Sequence, residues 1–437
     1  MNQKVVQSGL PVILWVHGGS FIAGSASDPA LDGTSLAAST NSIVAVVQYR
    51  LGAVSRTAEL VLLADPRTQL GFLPPISLNS NTNLGAKDVV TALKFISNVV
   101  SSFGGTPGLV TLAGQSSGAT LIRGLLGAPS AQSYFKNAWL HSDPFDYGFN
   151  NPGAQQNLQS AFYGGVSCES SSKTCALAMS LQSIIASQNQ VFLNGPSIDP
   201  STGASMPIRV VHDGSFITST LTQQSFPSSL KPIIVTTANK DAGPVIFGGA
   251  PPLPPSLYTD VLEGTFSDQD TQTLENSGFY NPPTDPDADI RPELVILGTD
   301  QVWRCPTWTM SRTWSSRGGT IFTGLWVLGA TYPTNTGFDI CTTPGNVCHQ
   351  DDIEIVFGTV ANPTPAQAAL VQEVQARYGA FVRTSNPNPS GFAKWTASSP
   401  SNINAINLGS SGTAATGGCI PSLWGNQVLY YYQQFGQ

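Results

Sequence analysis

Along the first third of the chain, short apolar runs alternate with glycine turns. Residues 12–16 run into His17-Gly18-Gly19, residues 43–47 into Gln48-Tyr49-Arg50-Leu51-Gly52, and residues 109–113 into Gly114-Gln115-Ser116-Ser117-Gly118. Runs of this length, bounded by turn residues, read as strands buried on both faces. Between the second and third runs, residues 87–100 set Val89, Val90, Leu93, Ile96, Val99 and Val100 at helical spacing. Strand, helix, strand predicts a parallel sheet. Further strands are predicted at 232–237 and 320–327, and further helices at 119–126, 157–162, 176–187 and 365–383. The Pro- and Gly-rich stretches 248–255 and 281–292 read as surface excursions, so one domain over residues 1–437 is expected.

Composition narrows this picture. Hydrophobic residues make up 41% of the 437 residues, enough for a large core, and no apolar run reaches the roughly eighteen residues that a membrane span needs. Charged residues are only 10%, against roughly a quarter in an average soluble chain, and uncharged polar residues supply the surface instead. A net charge of −7 argues against nucleic acid or anionic membrane partners, which need clustered Lys and Arg. The oligomeric state is left open. Six cysteines show neither CxxC nor zinc-finger spacing, so disulfides are expected rather than a metal site. Cys168 with Cys175 and Cys341 with Cys348 could each close a short loop, while Cys305 and Cys419 are left unassigned. Disulfides and low charge together predict an extracellular protein, although the first residues do not read as a signal peptide.

The glycine turns carry the candidate chemistry. Gly114-Gln115-Ser116-Ser117-Gly118 lies between a predicted strand and a predicted helix, the context that a nucleophile elbow requires. Small neighbours let the chain turn tightly, and the helix that follows directs its N-terminal dipole at an oxyanion. His17-Gly18-Gly19-Ser20-Phe21, also at a strand end, has the glycines that let backbone N–H groups converge on such an oxyanion. Histidine occurs only at 17, 141, 212 and 349, which narrows the choice of base. A base that comes last in chain order selects His349, whereas His141 and His212 read as structural. The acid should follow a strand between nucleophile and base, and Asp241, after the 232–237 run, fits. This chemistry calls for no metal or cofactor.

Several of these stretches occur together in one family. LPVILWVHGGSF, QYRLG, LGFL, NVVSSFGGTPGLVTLAGQSSGA, RVVHDGSFI, KPIIVTTANKDAG, CHQDDIEIVFG and RYGAFVRTSNPNP stand in the order found in cholinesterase-like (type-B) carboxylesterases and lipases. The chain resembles that family over nearly its whole length. The resemblance implies an α/β-hydrolase fold, a mostly parallel central sheet flanked by helices with loop and helical insertions. It also implies a serine ester hydrolase acting on a small-molecule or lipid ester, with Ser116 as nucleophile, His349 as base and oxyanion donors at the N–H groups of Gly19, Ser20 and Ser117.

Three departures accompany the resemblance. Family members carry Glu directly before the glycine of the NKDEG-like stretch, where this chain has Ala242, so Asp241 must substitute from one residue earlier. The strands that precede the oxyanion loop in the family are expected to be lacking. Residues 54–69 interrupt a stretch that is continuous in the family, and read either as a surface insertion or as a translated intron. Two rival readings follow from these residues: a non-catalytic relative that keeps the fold, favoured by Ala242, and a peptidase using the same triad.

Overall fold

The computed structural model describes residues 8–52, 71–73, 82–168, 172, 175, 178–203, 205–221 and 230–436. The 54–69 interruption lies outside the described residues. Seven parallel strands form the sheet: β1 (Leu10–Val16), β2 (Ile43–Val47), β3 (Gly105–Gln115), β4 (Asn137–His141), β5 (Ile233–Ala238), β6 (Ile321–Trp326) and β7 (Ile406–Leu408). They stand in the order β2-β1-β3-β4-β5-β6-β7. The chain thus steps from β1 to one side and returns to build the rest of the sheet on the other. That reversal makes the carboxyl ends of β1 and β3 a topological switch point, where open parallel sheets hold their ligands.

Side-chain alternation along β1 divides the core between the two faces of the sheet. Leu14 and Val16 join Val89 and Leu93 from the helix Leu84–Val99 and Leu121 and Leu125 from the helix Ser117–Leu126. Ile13 and Trp15 face the other way, onto Phe357 and onto Tyr378 and Phe381 of the helix Pro365–Thr384. That last helix begins with a capping box between Thr364 and Gln367 and with Pro in its first turn, which agrees with the predicted start. Two strands were not anticipated. In β4 the run Asn137-Ala138-Trp139-Leu140-His141 has polar ends, yet all five residues are buried because neighbouring elements satisfy Asn137 and His141. The other, β7, is only three residues long. The helix predicted at 176–187 instead runs Leu181–Leu193, and the one predicted at 157–162 extends over Pro152–Gly165.

Disulfides join Cys168 to Cys175, Cys341 to Cys348, and Cys305 to Cys419. Among the described residues no helix is long and apolar enough to cross a membrane.

Candidate active site

At the end of β3 the chain reverses sharply into the helix Ser117–Leu126, and Ser116 forms the corner with φ 58° and ψ −130°. A non-glycine residue in this region is strained, and such strain is held only where the surroundings demand it. The demand comes from β1. A Cβ at Gly114 would come within 2.6 Å of the Val16 carbonyl oxygen, and one at Gly118 within 2.1 Å of it. The small flanking residues therefore allow the corner to lie directly on the end of the neighbouring strand.

The loop after β1 wraps over this corner. Gly19 takes φ 114°, and Ser20 and Phe21 follow at 54° and 62°, a run of left-handed residues that turns the loop back on itself. The Phe21 N–H donates to Ser117 Oγ at 3.2 Å, and the Tyr49 hydroxyl donates to the His17 carbonyl at 2.8 Å. Among the described residues the N–H groups of Gly19, Ser20 and Ser117 have no hydrogen-bond partner. His17 stacks on Tyr49 at 4.6 Å, and burial pushes its imidazole down, towards the neutral form.

The acid and base candidates meet. Asp241 Oδ1 lies 2.8 Å from His349 Nδ1. The other oxygen, Oδ2, accepts from the Ser142 hydroxyl at 3.1 Å and from the Ala238 N–H at 2.7 Å. Asp241 is fully buried, and burial pushes its carboxyl up while these three donors pull it back. A carboxylate is acceptor-only, so Nδ1 carries the proton and Nε2 is left as an acceptor.

A side chain one methylene shorter than Glu reaches the imidazole because the two turns are stitched together. Lys240 N–H donates to the Val347 carbonyl at 2.9 Å, Val347 N–H to Asn239 Oδ1 at 2.8 Å, and the Asn239 amide to the Gly345 carbonyl at 2.9 Å. Ala242, by contrast, is buried, with its N–H donated to Thr299 Oγ1. The Cys341–Cys348 disulfide immediately precedes His349.

Towards the elbow, His349 Nε2 lies 3.2 Å from Gln115 Nε2, so the imidazole addresses the residue next to Ser116 rather than the Ser116 hydroxyl itself. Gln115 and Ser116 are consecutive, and a Cβ on Gly18 would come within 3.0 Å of both Gln115 Oε1 and Ser116 Cβ. Trp303 lies beside the imidazole, with ring centroids 5.4 Å apart and the planes tilted by 53°, on a π-helical turn over Asp300–Arg304. Such turns displace one side chain from the helical register and recur at functional sites.

Ser142, Gln115 and Trp303 were missed by sequence reasoning. The π turn follows from no residue pattern, and Ser142 lies directly after the unanticipated β4. Of the two remaining histidines, the ring of His141 has other partners. His141 is fully buried between Asp352 and Tyr378, and His212 sits partly exposed in a loop whose N–H bonds Asn150.

A sequence model of the carboxylesterase family matches residues 2–418. The chain belongs to the carboxylesterase family. It is 25% identical over 413 residues to a medium-chain fatty acyl-CoA hydrolase precursor of Anas platyrhynchos, covering 89% of this chain and 67% of that protein. A para-nitrobenzyl esterase of Bacillus subtilis is 38% identical over 135 residues, a match that takes in 30% of this carboxylesterase-family chain and only 24% of the bacterial protein. The fold has a solved counterpart in a PNB esterase, with a TM-score of 0.72 at 20% identity over 92% of this chain and 78% of the other.

Proposed function

We propose that this chain is a serine carboxylic ester hydrolase. Ser116 Oγ attacks the ester carbonyl, and His349 Nε2 takes its proton and returns it to the departing alcohol. Water activated by the same nitrogen then releases the acid from the acyl-enzyme. Asp241 holds the Nδ1–H tautomer and stabilises the imidazolium. The N–H groups of Gly19, Ser20 and Ser117 receive the oxyanion, each such donor being worth about 3–4 kcal/mol of barrier. Before attack the imidazole moves from Gln115 to the adjacent Ser116 hydroxyl, a tightening that unliganded hydrolases commonly need. Small-molecule or lipid esters are the substrate class, the cycle is complete without metal or cofactor, and the three disulfides favour an oxidising, extracellular setting.

The observation that carries this reading is that the Asp241–His349 pair, 2.8 Å apart, opens its second imidazole nitrogen onto Gln115, the residue next to the strained Ser116 corner. Ala242 had favoured a non-catalytic relative, and that pair supplies the acid which Ala242 lacks. The test is a stoichiometric burst of p-nitrophenol from p-nitrophenyl acetate, absent in Ser116→Ala. A folded wild-type protein that gives no burst overturns the reading, and a series of acyl chains of increasing length then sets the preferred ester.

A further inference from the structure

His141 lies outside the proposed triad, yet it meets the carriers of all three members. Its carbonyl oxygen accepts the Ser116 N–H at 2.9 Å. Its chain neighbour Ser142 donates to Asp241 Oδ2 at 3.1 Å. Its Nδ1 lies 2.7 Å from Oδ2 of Asp352, three residues after His349 in the same turn. Nε2 is closed off by the Tyr378 hydroxyl at 2.6 Å. Burial pushes the Tyr378 phenol well above its ordinary range, so Tyr378 donates to Nε2 and Nδ1–H donates to Asp352. The imidazole is stacked on Trp139 at 5.2 Å, with Trp15 and Trp326 beyond at 5.4 and 6.2 Å.

His141, Asp352 and Tyr378 are all fully buried, so no substrate atom reaches them. A buried carboxylate–imidazole pair is also a poor source of stability, since well-packed apolar residues of the same volume do as well or better. What it does supply is a preferred arrangement: Nδ1 has Asp352 Oδ2 at 2.7 Å and Thr236 Oγ1 at 3.3 Å, and the nearer, charged oxygen is the stronger acceptor.

We infer that His141 is a positioning residue: through Asp352 it fixes the turn bearing His349, while its backbone and Ser142 fix Ser116 and Asp241, so that the three proposed catalytic groups share one anchor. This rests on the proposed ester hydrolysis for its kinetic consequence, but not for its geometric one.

The test compares wild type with His141→Leu, which removes the anchor, His141→Gln, which can still donate to Asp352, and Tyr378→Phe, which frees only Nε2. Two readouts are taken: the acylation rate per active site titrated with p-nitrophenyl acetate, and the low-field proton resonance of His349 Nδ1–H. His141→Leu is expected to lower the rate per titrated site on the order of 10- to 100-fold, the cost of a displacement near 1 Å, with KM changed less than about two-fold. His141→Gln should recover most of this, and Tyr378→Phe should show the same changes more weakly. The His349 resonance should shift or broaden in step. A merely structural role would reduce the number of titratable sites and the Tm, leaving the rate per site and the resonance at wild-type values, and that result overturns the inference. If His141→Leu does not fold, an unaltered rate and resonance in Tyr378→Phe overturn it equally. Should wild type fail to hydrolyse esters, the functional reading falls, and the resonance still decides the anchor.

Discussion

Among the described residues two aspartate–imidazole pairs lie at or beyond the carboxyl ends of the strands, and they differ in what surrounds them rather than in their own separation. Asp241–His349 and Asp352–His141 are 2.8 and 2.7 Å apart. His349, however, keeps 16% of its side-chain surface in solvent, and its second nitrogen faces a neutral amide that it can leave. His141 is fully buried, and its second nitrogen is bonded by a phenol. A carboxylate beside an imidazole therefore does not mark a catalytic site. The proposed catalytic role of the Asp241 pair rests instead on a partly exposed imidazole whose second nitrogen meets a neutral amide beside Ser116, near backbone N–H groups at Gly19, Ser20 and Ser117 with no partner among the described residues.

The sharpest way to break this comparison is at the hydroxyl. Ser116→Ala should lower kcat by about 10⁵ or more, measured with a p-nitrophenyl ester, while the Tm stays close to wild type because little is removed from the packing. Next come the two carboxylates. Asp241→Asn is expected to reduce kcat about 10⁴-fold by allowing the wrong tautomer of His349, as loss of the corresponding charge does in serine proteases. Asp352→Asn should cost far less activity, on the order of 10- to 100-fold, but more stability, about 2–4 kcal/mol by denaturant titration, because it disturbs a hydrogen bond with no access to water. Equal losses of activity in the two variants would erase the distinction between a working pair and an anchoring one.

Much of the proposed working pair and its elbow was expected from the chain. Ser116, the proposed nucleophile, was picked out by the small residues at 114 and 118, which the structure explains by the approach of the Val16 carbonyl oxygen. His349, the proposed base, was chosen by chain order among four histidines. The proposed acid was harder. Asp241 and Ala242 both lie after the β5 run, and which position addresses the imidazole depends on hydrogen bonds between the turns at 239–240 and 345–347, over a hundred residues apart. The anchoring pair was read only as far as His141 being structural. Its partners come from the His349 turn and from the helix Pro365–Thr384, and no local pattern records that these two elements converge on β4. The parallel sheet was predicted from its apolar runs, whereas β4 escaped because the residues that end it are polar and are satisfied by the helix Pro365–Thr384 and the His349 turn.

The smallest expected effect separates position from chain entropy. Cys341–Cys348 and Cys168–Cys175 each join residues seven apart, so either bridge constrains the unfolded chain equally, by about 2–3 kcal/mol. Their settings differ. The first ends at the residue before His349, and its sulfur packs under the acid turn so closely that a Cβ on Gly243 would come within 2.5 Å of Cys348 Sγ. Replacing both cysteines of either bridge by serine should therefore lower the Tm by similar amounts. Only the 341/348 variant should also lose activity, roughly three- to ten-fold in kcat per titrated site, as the His349 turn loosens against Asp241. The His141 pair, held by its own hydrogen bonds to Asp352 and Tyr378, should keep its low-field proton resonance in both variants. A 168/175 variant that loses as much kcat as the 341/348 variant would mean that the bridge beside His349 stabilises the fold without positioning the base.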